Sequence, residues 1–345
     1  MRRVLLTGAT GFVGQAIAEK LVADGFEVYG TGNRRSGETP LILSDDKKIK
    51  KIFRLDISDA NAVNQLKALE FVPVIVHCAG LAHQFGKIEK KKFWQINVVG
   101  TKNVLDLAEE LRAEHFVLIS SVSVYGSGQT NRKGVLKDEE SACCPRGFYA
   151  ESKLASERAA AEFCRRKNIK LTVLRLATVI GKNDPGNFRR LIETIARRRF
   201  IWIGNGENYK SLIEREDVAR VCAAVIESRD AAAEIYNVSA EPLQMAEIVK
   251  IIETELGVET PAIRIPARIF SFFGKLNERT LRVKKIAELI ETVDRWLADD
   301  AYANDKLKKN LNFECRYNAR EAVARETKWL KEINRKRAAE DSSEQ

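Results

Sequence analysis

Val4-Leu5-Leu6-Thr7-Gly8-Ala9-Thr10-Gly11-Phe12-Val13-Gly14 is the stretch whose reading decides the fold. An apolar run ends at Thr7, a glycine-rich turn follows, and Gln15 to Ala23 has the pattern of a helix. Strand, turn and helix in that order give a bare glycine spacing the context of a dinucleotide-binding turn. Gly8 and Gly11 let the backbone bend tightly and approach a pyrophosphate, where any Cβ would intrude. Gly14 lets the helix pack closely on the strand. Thr10, Phe12 and Val13 complete the turn, and the first amides of the helix, unpaired at its positive end, suit a phosphate.

The chain has 345 residues, more than one average domain of about 150. A large α/β domain over residues 1–180, to which later segments return, fits best with a smaller lobe over 181–330 that mainly binds substrate. The tail, 336–345, reads as disordered. Hydrophobic residues at 45% and charged residues at 31% suit a folded soluble protein. No apolar run reaches the roughly 18 residues that span a bilayer, and a strand at the start leaves no room for a leader, so the expected location is cytoplasmic. Six cysteines (Cys78, Cys143, Cys144, Cys164, Cys222, Cys315) lack metal-ligand spacing, and with three histidines no metal site is expected. The net charge is +10, with basic clusters at Lys47–Lys51, Lys87–Lys92, Arg189–Arg199 and Lys331–Arg337. Without aromatic or groove-reading elements among them, a nucleic-acid partner is not expected. Anionic small molecules such as nucleotide diphosphates would use part of this charge, and solvated helix surface the rest.

Further along, Glu27–Thr31 reads as a second strand, followed by Gly32-Asn33-Arg34-Arg35. The end of this strand faces the adenosine ribose in a dinucleotide fold, where an acid would accept from the hydroxyls. Here the acid is missing, and Arg34 and Arg35 suit a 2′-phosphate, which leans the cofactor toward NADP over NAD. Lys51–Leu55 is a third strand. Asp56 after it can accept from an adenine amino group while Ile57 packs on the ring, or it can cap the helix starting near Asp59. Val74–His77 is an apolar strand ending in Cys78-Ala79-Gly80, small residues that let the backbone pass close to a cofactor. Such continuous apolar strands alternating with helices indicate a parallel sheet covered on both faces. A helix is expected over 93–111, with Asn97 inside it bracing the neighbouring loops or capping a turn. His115–Ser120 is the next strand, and it runs into Ser121-Val122-Ser123-Val124-Tyr125-Gly126.

Tyr149-Ala150-Glu151-Ser152-Lys153 then leads into a helical stretch, Leu154–Arg166. Tyr149 and Lys153, four apart, share one helix face. A nearby ammonium and a positive nicotinamide ring favour tyrosinate, so the Tyr149 pKa is expected to fall from its usual ~10. Tyr149 then takes a proton from a sugar hydroxyl or gives one to a ketone, while a serine hydrogen-bonds the same oxygen.

Taken together, these residues resemble the extended short-chain dehydrogenase/reductase superfamily, within it the nucleotide-sugar epimerase, dehydratase and reductase group. The resemblance runs over about residues 1–265, anchored at Thr7–Gly14, Asp56-Ile57, His77–Leu81, Asn97, Ser121–Gly126, Tyr149/Lys153 and Arg175–Gly181. It implies a Rossmann-type doubly wound parallel sheet with a smaller C-terminal substrate-binding lobe. It also implies a catalytic set of Ser121, Tyr149 and Lys153, with Ser123 touching substrate and Lys153 holding the nicotinamide ribose. Asn97, Ala177 and Val179 join the glycine turn and the Cys78–Gly80 segment as cofactor contacts. Asn187 would contact the diphosphate or base of a nucleotide-diphosphate sugar. Lys210 stands where relatives carry an arginine that grips the diphosphate, keeping the charge but losing the two-pronged contact. A homodimer through a helix pair, here 102–111 and 154–165, is the family's habit.

The departures narrow the activity. Sugar 4,6-dehydratases of this family carry Asp-Glu after the catalytic Ser/Thr; here those positions are Val122 and Ser123, which argues against dehydration. Ala177-Thr178 replaces the aromatic-Asn pair of galactose 4-epimerases, whereas His77–Leu81 resembles those enzymes closely. The stretches at Asp184–Phe188 and Arg197–Ile203 look like enzymes of surface-polysaccharide sugar synthesis. The expected activity is therefore epimerisation at carbon 4 of a nucleotide-linked hexose with bound NAD or NADP. The alternatives are an NADPH-dependent keto-sugar 4-reductase, a reductase of steroid-like or flavonoid substrates, and a non-enzymatic NAD(P)-binding regulator.

Overall fold

The continuous apolar runs align into one parallel sheet in the computed structural model, which describes residues 2–33, 49–82, 89–126, 135–228, 234–261, 264–266, 269, 293 and 296–343. Its strands are β1 (Arg3–Thr7), β2 (Glu27–Gly32), β3 (Lys51–Arg54), β4 (Val74–His77), β5 (His115–Ser121) and β6 (Lys170–Leu176), joined late in the chain by Ile235–Val238. Short strands of the second half are β7 (Thr178–Ile180), β8 (Trp202–Ile203), β9 (Tyr209–Lys210) and β10 (Leu212–Glu214). Ile235–Val238 is then β11, followed by β12 (Leu243–Gln244) and β13 (Arg264–Ile265). The helices are α1 (Phe12–Ala23), α2 (Ala60–Asn64), α3 (Lys90–Phe93), α4 (Gly100–Glu110), α5 (Phe148–Lys167), α6 (Asn187–Ala196), α7 (Arg215–Glu227), α8 (Met245–Leu256), α9 (Asp305–Leu311) and α10 (Ala319–Ser343).

The sheet order is β11-β6-β5-β4-β1-β2-β3, every pair parallel. Alternation along each strand divides the core. Leu6 and Val76 face Ile17, Leu21, Val221 and Val225 of α1 and α7. Leu5, Ile75 and Phe116 face Leu105, Ala108 and Phe163 of α4 and α5. Strand order reverses between β1 and β4, so the crevice at their carboxyl ends is the switch point where open α/β sheets bind ligands.

Three local features depart from the sequence reading. The helix expected over 93–111 starts at Lys90 and is interrupted by a π-helical turn, Trp94–Val99, before α4. Asn97 sits on that turn, a distortion that accompanies functional positions. The tail expected to be disordered instead continues α10 as far as Ser343. Ala, Lys, Arg and Glu, which dominate it, are strong helix formers and need little tertiary help. The third feature is a strap over 298–304, far beyond the family-like stretch. Asp300 pairs with Lys210 and Tyr302 with Lys137, and Tyr302 stacks on Tyr125 with ring centres 5.8 Å apart. No helix among the described residues is long and apolar enough to cross a membrane.

Helix α10 carries a buried carboxyl, Glu326, beside Asp184, Glu214, Arg189 and Arg215. Neither Glu326 oxygen has a hydrogen-bond partner. Burial pushes its pKa from 4.5 up to about 8, and that of Glu214 to about 7. A raised carboxyl pKa means the folded state holds more protons than the unfolded one, so stability falls as pH rises through roughly 4.5 to 8. Glu326→Gln imitates the protonated acid. Its gain in urea-unfolding free energy should be larger at pH 8.5 than at pH 5.5 by at least about 1 kcal/mol. An equal gain at both pH values would contradict this.

Candidate active site

At the switch point the backbone comes closer than side chains permit. Gly8 has φ +73°, and a Cβ there would lie 2.7 Å from the Ala79 nitrogen. A Cβ on Gly14 would lie 2.0 Å from the Gly8 carbonyl oxygen, so α1 can start only beneath a glycine. Gly11 donates to the Gly8 oxygen at 2.9 Å and serves as N-cap of α1, with no side chain capping the helix. The opening amides, Phe12, Val13 and Gly14, thus keep their donor role for a phosphate. Thr10 packs against Gly32 at the end of β2, where a Cβ would sit 2.3 Å from its Oγ1. This cradle fits a dinucleotide's pyrophosphate.

The β4 end is fixed by hydrogen bonds. Thr7 Oγ1 meets His77 Nδ1 at 2.8 Å and accepts from the Ala79 amide at 3.1 Å. His77 is buried, its pKa pushed down to about 3 by burial and then by Lys153, so it stays neutral. Asn97 Oδ1 accepts from the Leu81 amide at 2.7 Å, and its Nδ2 donates to the Leu81 carbonyl and to Ser152 Oγ. Asn97 therefore braces the 78–81 loop against α5. Lys153 Nζ donates to the Ile119 carbonyl at 3.0 Å. Gly80 leaves the room that both groups use: a Cβ there would lie 3.2 Å from Asn97 Oδ1 and 3.3 Å from Lys153 Nζ.

Tyr149 stands on the first turn of α5, and Ser121 hydrogen-bonds to its hydroxyl. Ser121 Oγ also accepts from the Ser123 amide at 3.2 Å, shaping a short 3₁₀ turn over Val122–Tyr125. Ser123 Oγ is buried without a partner, a donor placed for a ligand oxygen. The expected lowering of the Tyr149 pKa is not found in the protein alone. Burial raises it, the Ser121 hydrogen bond only partly opposing this. Burial likewise lowers the Lys153 pKa, and the ammonium is spent on the Ile119 carbonyl. Tyr149 is thus a phenol until a positive charge is bound beside it.

Behind these groups runs a buried network that sequence reading missed. Ser120 Oγ donates to Glu157 Oε1 at 2.5 Å, and Glu157 is ion-paired with Arg175 at 2.7 Å. Arg175 Nη1 donates to the Tyr125 hydroxyl, which donates to Asn237 Oδ1, both at 2.8 Å. Lys137 Nζ closes the turn by donating to the Gly126 carbonyl at 2.5 Å. Arg175 lies inside a family anchor, but its partners are Glu157 on α5 and Tyr125 on the 3₁₀ turn, which no local pattern connects to it.

The substrate and adenosine candidates are more scattered. Arg34 and Arg35 lie outside the described residues. Asp56 is exposed and accepts from the Ser58 amide and hydroxyl, while Asp59 caps α2. Ile57 is buried against Gly100. Cys78 is half-buried, Ala177 buried and Val179 half-buried near the sheet end. Asn187 is exposed at the start of α6, where Asp184 instead takes the amides of Gly186 and Arg189. Lys210, expected to reach a diphosphate, donates to Asp300 Oδ2 at 2.7 Å and to the Ala298 carbonyl at 2.9 Å. Among the described residues no cluster of His, Cys, Asp or Glu could hold a metal.

A Rossmann-type sheet with the glycine turn at its switch point is the fold of the extended short-chain dehydrogenase/reductase class, and Ser121 at the end of β5 and Tyr149 and Lys153 on α5 stand beside that crevice. The family model "NAD dependent epimerase/dehydratase family" matches residues 4–239, and the chain belongs to that family of enzymes. It is 29% identical over 266 residues to the N-acetyl-alpha-D-glucosaminyl-diphospho-ditrans,octacis-undecaprenol 4-epimerase of Escherichia coli O157:H7, covering 76% of this chain and 75% of the relative. It is 29% identical over 272 residues to the decarboxylating sterol-4-alpha-carboxylate 3-dehydrogenase of Bos taurus, covering 77% and 73%. In fold it is similar to the UDP-glucuronic acid 4-epimerase of Bacillus cereus in complex with NAD, with TM-score 0.74 and 20% identity over 96% of this chain and 99% of that one.

Gly14→Ala tests the cradle. It should weaken NAD binding by calorimetry at least about tenfold, or ~1.4 kcal/mol, with unfolding still cooperative. Wild-type affinity would contradict it.

Proposed function

We propose that the protein is a 4-epimerase of a hexose joined to a diphosphate, of the kind used to build surface polysaccharides, working in the cytoplasm as a homodimer through the helix pair at 102–111 and 154–165. The observation that carries this reading is the hydrogen-bonded Ser121–Tyr149 pair at the carboxyl end of β5, with Lys153 on the same helix as Tyr149 donating to the Ile119 carbonyl of that strand. The glycine turn, Asp56, Cys78–Gly80, Asn97, Lys153, Ala177 and Val179 would hold the cofactor, whose nicotinamide accepts and returns a hydride when bound.

Tyr149 takes the proton of the sugar 4-hydroxyl, and Ser121 holds that oxygen in line with it. After the keto-sugar turns over, the same phenol returns the proton. Ser123, with its unpartnered buried hydroxyl, orients a neighbouring sugar oxygen. Elimination of water needs an acid and a base at 122 and 123. Val122 is apolar and buried, Ser123 offers a hydroxyl only, and the nearby Glu157 is held by Arg175.

In this reading a nucleoside carries the diphosphate, with Asn187 and Lys210 toward it. A second reading, in which a polyprenyl chain carries the diphosphate, is favoured by the closure of Lys210 onto Asp300. A relative named for such a substrate supports it. Arg34 and Arg35 support NADP and hence a keto-sugar reductase as the alternative reaction.

Tyr149→Phe should leave folding and NAD binding intact and cut epimerase turnover at least about 100-fold, the usual worth of a positioned proton-transfer group. Turnover within a few-fold of wild type would remove Tyr149 from the chemistry.

A further inference from the structure

One residue before the proposed general base, the chain puts a large apolar ring into water. Phe148 is 46% exposed, and Trp94, on the π-helical turn, is 39% exposed. The two rings belong to one patch. Lys90 Nζ lies 5.7 Å from the centre of the Trp94 ring and 5.6 Å from that of Phe148. Lys90 also lies 3.5 Å from Glu151, which keeps it over the rings. Lys91 and Lys92 are exposed on the same turn of chain, and Arg146 is exposed just ahead of Phe148. Beneath the patch, the buried Phe93 meets the Tyr149 ring edge-on at 6.1 Å.

An isolated exposed aromatic side chain on a soluble protein needs no explanation. Two rings bridged by an ammonium and flanked by further cations are a different surface. Tryptophan and phenylalanine settle at the boundary between lipid headgroups and acyl chains, and lysine beside them gains from anionic headgroups. A second copy of this chain is a poorer occupant: the patch residues lie outside the 102–111 and 154–165 stretches given to the subunit contact, and their four cations, Lys90, Lys91, Lys92 and Arg146, outnumber the acids Glu89 and Glu151. Charge therefore selects an anionic surface.

We propose that the Trp94–Phe148–Lys90 patch seats the protein on an anionic lipid surface, so that a lipid-linked sugar diphosphate is presented to Tyr149 from the membrane. The inference rests on the second carrier reading above and adds to it where the substrate comes from.

The test is co-sedimentation of the full chain with vesicles, needing neither sugar nor turnover. Vesicles of 30% phosphatidylglycerol in phosphatidylcholine should bind it at least about tenfold more tightly than pure phosphatidylcholine, an advantage that 0.5 M salt largely removes. Trp94→Ser with Phe148→Ser should lower binding at least about tenfold and leave NAD binding and cooperative unfolding unchanged. Should that variant not fold, Lys90→Gln with Lys91→Gln and Lys92→Gln makes the same test from the charged side. Wild-type protein that ignores anionic vesicles, or variants that bind as wild type does, would overturn the proposal. So would variants whose only change is loss of self-association, which would make the patch a subunit contact. Vesicle binding that survives alongside a failure to turn over any diphosphate sugar would overturn the epimerase reading and leave the membrane seat standing.

Discussion

Three stretches of backbone meet where β1 ends, where β4 ends and where α1 begins, and they meet only because two residues there have no side chain. Gly8 lies against the Ala79 nitrogen, and Gly14 lies under the Gly8 carbonyl. Any Cβ at either place would strike backbone, which cannot yield as a flexible side chain can. The constraint sets how closely the turn after β1 passes the loop after β4. It also leaves the first amides of α1 pointing into the crevice without a cap. The remaining site is arranged around that opening.

What the glycines open, a polar scaffold holds in shape. Asn97 ties the 78–81 loop to Ser152 on α5, and Lys153 on the same helix reaches across to the β5 carbonyl at Ile119. On the far side, Glu157 and Arg175 link Ser120 to Tyr125, so the turn bearing Ser121 and Ser123 is held from both ends. A buried ion pair of this kind is weak evidence for stability, because desolvation offsets most of its attraction. Its value here is geometric: five side chains satisfy one another in one arrangement only. The same burial keeps Tyr149 protonated in the protein alone. The cationic ring of an oxidised nicotinamide, when bound, would supply the opposing influence and let the phenol serve as the base proposed above.

Much of this was legible in the sequence, because it depends on residues close together in the chain. The glycine turn, the apolar strands and the Tyr149–Lys153 spacing are local signals, and each element formed within a few residues of its expected place. The bracing role of Asn97 was one of two local options, and the structure selects it. What local patterns do not encode is pairing across long separations. Glu157 meets Arg175 and Ser120, and Lys210 meets Asp300 some ninety residues later. The strap at 298–304 lies beyond the family-like stretch, so nothing in the sequence announced that it would occupy Lys210 and stack on Tyr125.

The central proposal is that the cofactor would stay in the crevice while carbon 4 of the sugar is oxidised to the ketone and reduced again. The measurement that tests it most directly is the absorbance and mass of nucleotide released when the purified protein, given nothing, is denatured. The account predicts close to one equivalent of NAD per chain. An empty protein that NADPH stabilises against heat more than NADH does would contradict it and make the enzyme a reductase that exchanges its cofactor at every turnover.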